Sequence, residues 1–114
     1  MIVVIFEVES NQGRQQDYLD AAARMRELLQ RSPGFISVER FASLTNPAKL
    51  LSLSFWQDEA SVATWRAQQE HRDMQQAGRN GIFANYRIRV AAVLRDYGLK
   101  ERAQVPEDSR KAHG

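Results

Sequence analysis

The chain begins MIVVIFEVE, and this run over Met1–Glu9 constrains the fold more than any other segment. From Met1 to Phe6 no polar residue interrupts it, and Ile2, Val3, Val4 and Ile5 are all β-branched. Such a run reads as a strand with two apolar faces, which belongs in the middle of a sheet and has to be covered on both sides. It is far shorter than the roughly 20 residues a membrane-spanning helix needs. It has no basic stretch ahead of it and carries Glu7 and Glu9 where a signal peptide would stay apolar. No membrane partner and a cytoplasmic location are therefore expected.

Downstream, two periodicities alternate. Ser10–Gly13 marks a turn, after which Tyr18, Ala21, Ala22, Met25, Leu28 and Leu29 recur at helical spacing, with Arg14, Asp20, Arg24, Glu27 and Arg31 on the other side. Ser32-Pro33-Gly34 ends that helix, because proline cannot continue the ladder and glycine accepts positive φ. Phe35–Ser43 and Lys49–Gln57 are two strands of a hairpin turned at Asn46-Pro47. In the second of them Leu51, Leu53 and Phe55 form a plain apolar face. Leu50, Ser52, Ser54 and Trp56 form a mixed face able to line a cavity.

Asp58 is placed to cap a second helix from Glu59, with Val62 and Trp65 inward. The helical pattern runs to Gln76, with an interruption expected between Arg66 and Glu70, and stops near Gly78 or Gly81. Tyr86–Tyr97 alternates as a last strand, with Tyr86, Ile88, Val90, Ala92 and Leu94 opposite Arg87, Arg89, Ala91, Val93 and Arg95. The order β-α-β-β-α-β predicts an α+β, ferredoxin-like domain over residues 1–97: a four-stranded antiparallel sheet with two helices on one face. Residues 98–114 have little to bury and read as a flexible polar tail or a dimer arm.

One face of that sheet is left bare. Leu50, Trp56 and part of the first strand are expected on it, too apolar a set for water. A second copy of the chain is expected to cover it, giving a homodimer, a dimeric α/β barrel, around an interior space.

Composition removes several classes of chemistry. With 114 residues there is room for one domain, and 43% hydrophobic with 26% charged residues is globular. The absence of cysteine excludes disulfides and thiolate chemistry, and a net charge of +2 names no partner. There is no Gly-rich phosphate loop after a strand, no HxxxH or HExxH pair and no serine elbow. Arg79, Arg87, Arg89 and Arg95 make the C-terminal third basic. No helix-turn-helix or exposed aromatic ladder accompanies them, so ion pairing rather than nucleic acid is expected.

The residues Pro33-Gly34-Phe35, Phe55-Trp56 and Trp65 in this layout resemble the antibiotic biosynthesis monooxygenase (ABM) domain over residues 1–97. The series Trp65, Glu70-His71, Gly78-Arg79, Phe83, Tyr86, Arg89-Val90-Ala91 and Arg95-Asp96-Tyr97 is similar to a bacterial branch of it. The resemblance implies a dimeric α+β barrel. For some members it implies oxygenation of phenols or quinols with neither flavin nor metal, and for others haem degradation. Haem-degrading members carry an asparagine in the first strand and a histidine about ten residues past the tryptophan. Here the first strand has no asparagine, and Gln75 stands at the second position.

The activity that follows is cofactor-independent monooxygenation of a small aromatic phenol or quinol. The alternative is a non-catalytic dimer that binds a small hydrophobic ligand or haem. His71 is the candidate general base, since the other histidine, His113, lies in the tail. Trp56 and Trp65 offer stacking surfaces, Tyr86 a hydroxyl to orient a substrate oxygen, and Arg40 and Arg89 cationic partners for an anionic group. Trp65 and His71 are six residues apart, about 240° around a straight helix, so the two share a pocket only if the helix breaks between them.

Overall fold

The structure, a computed structural model, describes residues 1–68 and 81–113. Its elements in chain order are β1 (Ile2–Ser10), α1 (Gln15–Gln30), β2 (Phe35–Ala42), β3 (Lys49–Trp56), α2 (Glu59–Arg66), β4 (Phe83–Ala92) and α3 (Glu107–His113). The four strands form one antiparallel sheet in the order β2-β3-β1-β4. This is the ferredoxin-like arrangement read from the sequence, with β1 at the centre between its two long neighbours.

The register organises the side chains into rungs that cross all four strands. Arg40, Ser52, Phe6 and Ile88 make one rung; Val38, Ser54, Val4 and Val90 make the next; Trp56, Ile2 and Ala92 continue past Phe35 in a third. All of these lie on one face, and that is the face the helices cover. Leu29 of α1 and Val62 and Trp65 of α2 close with Trp56 into a buried cluster, joined by Ile2, Val4, Phe35 and Val38 from the sheet.

Here the structure corrects the sequence reading of β3. The mixed face of Leu50, Ser52, Ser54 and Trp56 is the helix-covered one, and Leu51, Leu53 and Phe55 belong to the bare face. Alternation alone separates the two faces but does not say which the helices choose. Trp56, 2% exposed, decides it: the indole packs edge-on against Phe35 at 5.4 Å and beside Trp65 at 6.3 Å. Its N–H donates to Ser54 Oγ at 3.0 Å, so the polar end of the ring enters the interior satisfied. The bare face then carries Val3, Ile5, Leu51, Leu53, Phe55 and the 43% exposed Phe41.

One boundary also moves. β4 runs from Phe83 to Ala92 rather than from Tyr86 to Tyr97. The ladder stops because β1 supplies no partner beyond Ile2 opposite Ala92; one further bond, from Val93 N–H to the Met1 carbonyl, closes it. Residues 98–114, read as a flexible polar tail or a dimer arm, contain α3, and polar groups around them bond to one another: Asp96 N–H to Gln104 Oε1, Gly98 N–H to the Glu101 carbonyl, and Arg110 to the Arg102 carbonyl.

The Pro33-Gly34 turn fixes how α1, β2 and α2 meet. Gly34 has φ +79°, and a Cβ there would stand 1.9 Å from Ser61 Oγ and 2.6 Å from Ser61 Cβ. Ser61 cannot give way cheaply, since both its N–H and its hydroxyl donate to Asp58, the N-cap of α2. Gly34→Ala therefore meets a clash and a strained backbone together. We expect it to cost about 2 kcal/mol or more, read in a thermal melt as a Tm lower by about 10 °C.

Candidate functional site

Between the helix-covered sheet face and the two helices lies a cavity of about 160 Å³. One end wall is the tryptophan cluster just described. The other is a second aromatic cluster, in which Phe6, Tyr18, Phe83 and Tyr86 meet edge-on with ring centroids 5.5–6.3 Å apart. α1 supplies Tyr18, Ala22, Met25 and Leu29 as one long wall, the helical stripe read from the sequence. The opposite wall is the sheet itself. Along β4, Tyr86, Ile88 and Val90 are 45–47% exposed.

The polar groups of the site are few: the hydroxyls of Tyr18 and Tyr86 among its rings, and four side chains besides. Ser52 and Ser54 of β3 and Arg40 of β2 line the cavity, and Arg66 reaches it from the last turn of α2. No aspartate or glutamate is among the described lining residues. Arg40 Nε is shut away from water and has no hydrogen-bond partner.

Of the residues singled out in the sequence, Trp56, Trp65, Tyr86 and Arg40 all line this cavity. Arg89 does not. It lies on the bare face of the sheet and donates from Nη1 to Glu7 Oε2 at 2.8 Å, while Lys49 Nζ stands 3.6 Å from Glu7 Oε1. The parity of β4 turns Arg87 and Arg89 to one side and Tyr86 and Ile88 to the other, so an arginine next to two cavity residues is carried to the opposite surface. His71 falls outside the described residues, as do Glu70 and Arg79. α2 ends at Arg66, within the stretch where the sequence places an interruption.

Several wall residues gave no sequence signal of their own. Phe6 is one apolar residue in a run of them, Tyr18 reads as ordinary helix core, and Phe83 stands ahead of the strand as the alternation defines it. Arg66 could have been found only by its place one residue after Trp65. Among the described residues no three His, Cys, Asp or Glu side chains come together as a metal cluster. Among them also no helix is long and apolar enough to cross a membrane.

Fold and site together define a small ferredoxin-like α+β domain with an aromatic-walled interior cavity. The chain belongs to the antibiotic biosynthesis monooxygenase family, whose model matches residues 1–77. It is 40% identical over 93 residues to the jasmonate monooxygenase of Pyricularia oryzae, a match that covers 82% of this chain and 43% of that protein. It is 31% identical over 84 residues to the YqjZ protein of Bacillus subtilis, covering 74% of this chain and 72% of the other. The chain thus spans less than half the length of the fungal relative. Among solved structures, a Deinococcus radiodurans protein named as a candidate antibiotic biosynthesis monooxygenase superposes with a TM-score of 0.78 at 10% identity, over 87% of this chain and 98% of that one. At that identity the likeness is one of fold.

The pairing of Glu7 gives a pH-dependent contribution with a definite sign. The hydrogen bond from Arg89 holds its carboxyl below the ordinary value of 4.5, with the charge of Lys49 acting in the same direction. A depressed carboxylate stabilises the fold above its unfolded value and loses that contribution as pH falls through the folded one. The Tm difference between the wild type and Glu7→Gln is therefore expected to be present at pH 6 and to shrink below pH 4.5, as followed by melts across that range.

Proposed function

We propose that this protein is a monooxygenase that inserts oxygen into a small aromatic phenol or quinol without flavin, haem or metal. The observation that carries the reading is the cavity. At about 160 Å³ it matches the size of an apolar cavity, about 150 Å³, that takes up a benzene ring. Its end walls are aromatic, so a flat ring bound there stacks rather than merely fits. Membership of the family supports the reaction class.

In the proposed reaction a base removes the phenolic proton, and the electron-rich phenolate passes one electron to dioxygen. The phenoxyl radical and superoxide then join at a ring carbon. The base returns its proton to the peroxide; loss of the ring hydrogen and cleavage of the O–O bond release water and leave a quinone. One phenol and one dioxygen give one quinone and one water. We assign the base to His71, and to Trp56, Trp65 and Tyr86 the holding of the ring.

Oxygen uptake with a panel of phenols and quinols tests this. His71→Ala is expected to lower the rate by about 10²-fold or more while the melt is unchanged. Uptake equal in the two proteins removes His71 from the mechanism, and no uptake with any of the panel removes the activity.

We further propose that two copies pair through the bare sheet face, because Val3, Ile5, Leu51, Leu53 and Phe55 lie on the side opposite α1 and α2. A stable contact of this kind buries about 800 Å² on each partner. Sedimentation is expected to give twice the chain mass for the wild type and the single-chain mass for Leu53→Glu. A wild type that stays single at micromolar concentration contradicts the pairing.

A further inference from the structure

We propose that the cavity selects amphipathic monocarboxylates, with the carboxylate seated on Arg40 and the apolar body lying across the sheet towards β4. This rests on the reading of the cavity as the substrate site and adds to it the charge and orientation of what binds there.

Arg40 Nε is buried with no partner, and among the described residues no carboxylate is in ion-pairing distance of the side chain. A lysine in such a place can shed its proton, but a guanidinium cannot. Its Nε–H, shut from water with no acceptor, is satisfied when an anion comes to it. Nothing on the described walls supplies one: Arg40 and Arg66 are cations and no acidic residue joins them.

The rung that holds Arg40 also sets the direction. Arg40 is followed across the sheet by Ser52, then Phe6, then Ile88. Cation and hydroxyl are on β2 and β3, and ring and aliphatic chain are on β1 and β4. Three strand spacings separate the ends, about 14 Å, a length suited to one ring plus a short acid side chain. Ser54 adds a second hydroxyl on the polar side, although its oxygen already accepts from Trp56. An acid end and an oily end are thus each met by their like across a single line of residues.

Binding of 4-phenylbutyrate and of the uncharged 4-phenylbutyramide tests the assignment, since the two differ mainly in charge. Trp56 and Trp65, the two tryptophans of the chain, both line the cavity and report occupancy by their fluorescence. The acid is expected to bind about tenfold or more tighter than the amide. Arg40→Met should erase that preference, Arg40→Lys should keep part of it, and Arg66→Met should leave most of it. The Tm of Arg40→Met should not fall, because the buried Nε–H makes no bond in the empty protein for the substitution to remove.

Equal binding of acid and amide, no binding of either, or a preference that survives in Arg40→Met overturns the proposal. A collapse of the fold in Arg40→Met does so as well, by making Arg40 structural. The readout is independent of turnover. Intact preference with no oxygen uptake sinks the catalytic reading alone, and uptake without preference sinks only this one.

Discussion

β1 is apolar on both sides and sits between two partners, and most of the architecture follows from having to bury it twice. On one side Ile2 and Val4 meet α1 and α2 through the Leu29, Trp56, Val62 and Trp65 cluster. On the other, Val3 and Ile5 lie with Leu51, Leu53 and Phe55 on the face turned away from α1 and α2. Burial at roughly 25 cal/mol per Å² makes either exposure expensive for so small a domain. The chain solves half of this problem internally, and the other half is the physical argument for a second copy.

The helix-covered side is not packed solid, and this is what separates a site from a core. Large rings stand at both ends of the cavity, while the middle of the sheet presents serines and short aliphatic side chains. Ser52 and Ser54 occupy positions where leucine or valine would close the gap. Fully apolar packing would stabilise the fold more, since voids forfeit contacts on every lining atom. A space maintained against that gradient, together with an arginine whose Nε has no partner, marks the part of the protein shaped for something other than its own stability.

Much of the fold was legible because its signals are local. The stripe from Tyr18 to Leu29, the Ser32-Pro33-Gly34 stop, the Asp58 cap and the alternation from Tyr86 onward each depend on residues within a turn or two of one another. What depends on distant partners was not. Which face of β3 turns inward is set by Trp56 meeting Phe35 and Trp65, three elements that only the tertiary fold assembles. The end of β4 is set by where β1 begins. Of the residues named from their type, Trp56, Trp65, Tyr86 and Arg40 line the cavity, whereas the parity of β4 carries Arg89 to the opposite face. Phe6 and Tyr18 gave no sign, because a ring that lines a void and a ring that fills a core look alike in one dimension.

The bond between the Trp56 indole and Ser54 has a consequence for how a guest would lie. With its one N–H already committed, the Trp56 indole offers a guest contour but no donor of its own, so a heteroatom pushed against that ring loses its water and gains nothing from it. A molecule with polar character at a single terminus thereby has one comfortable way to lie and one costly way.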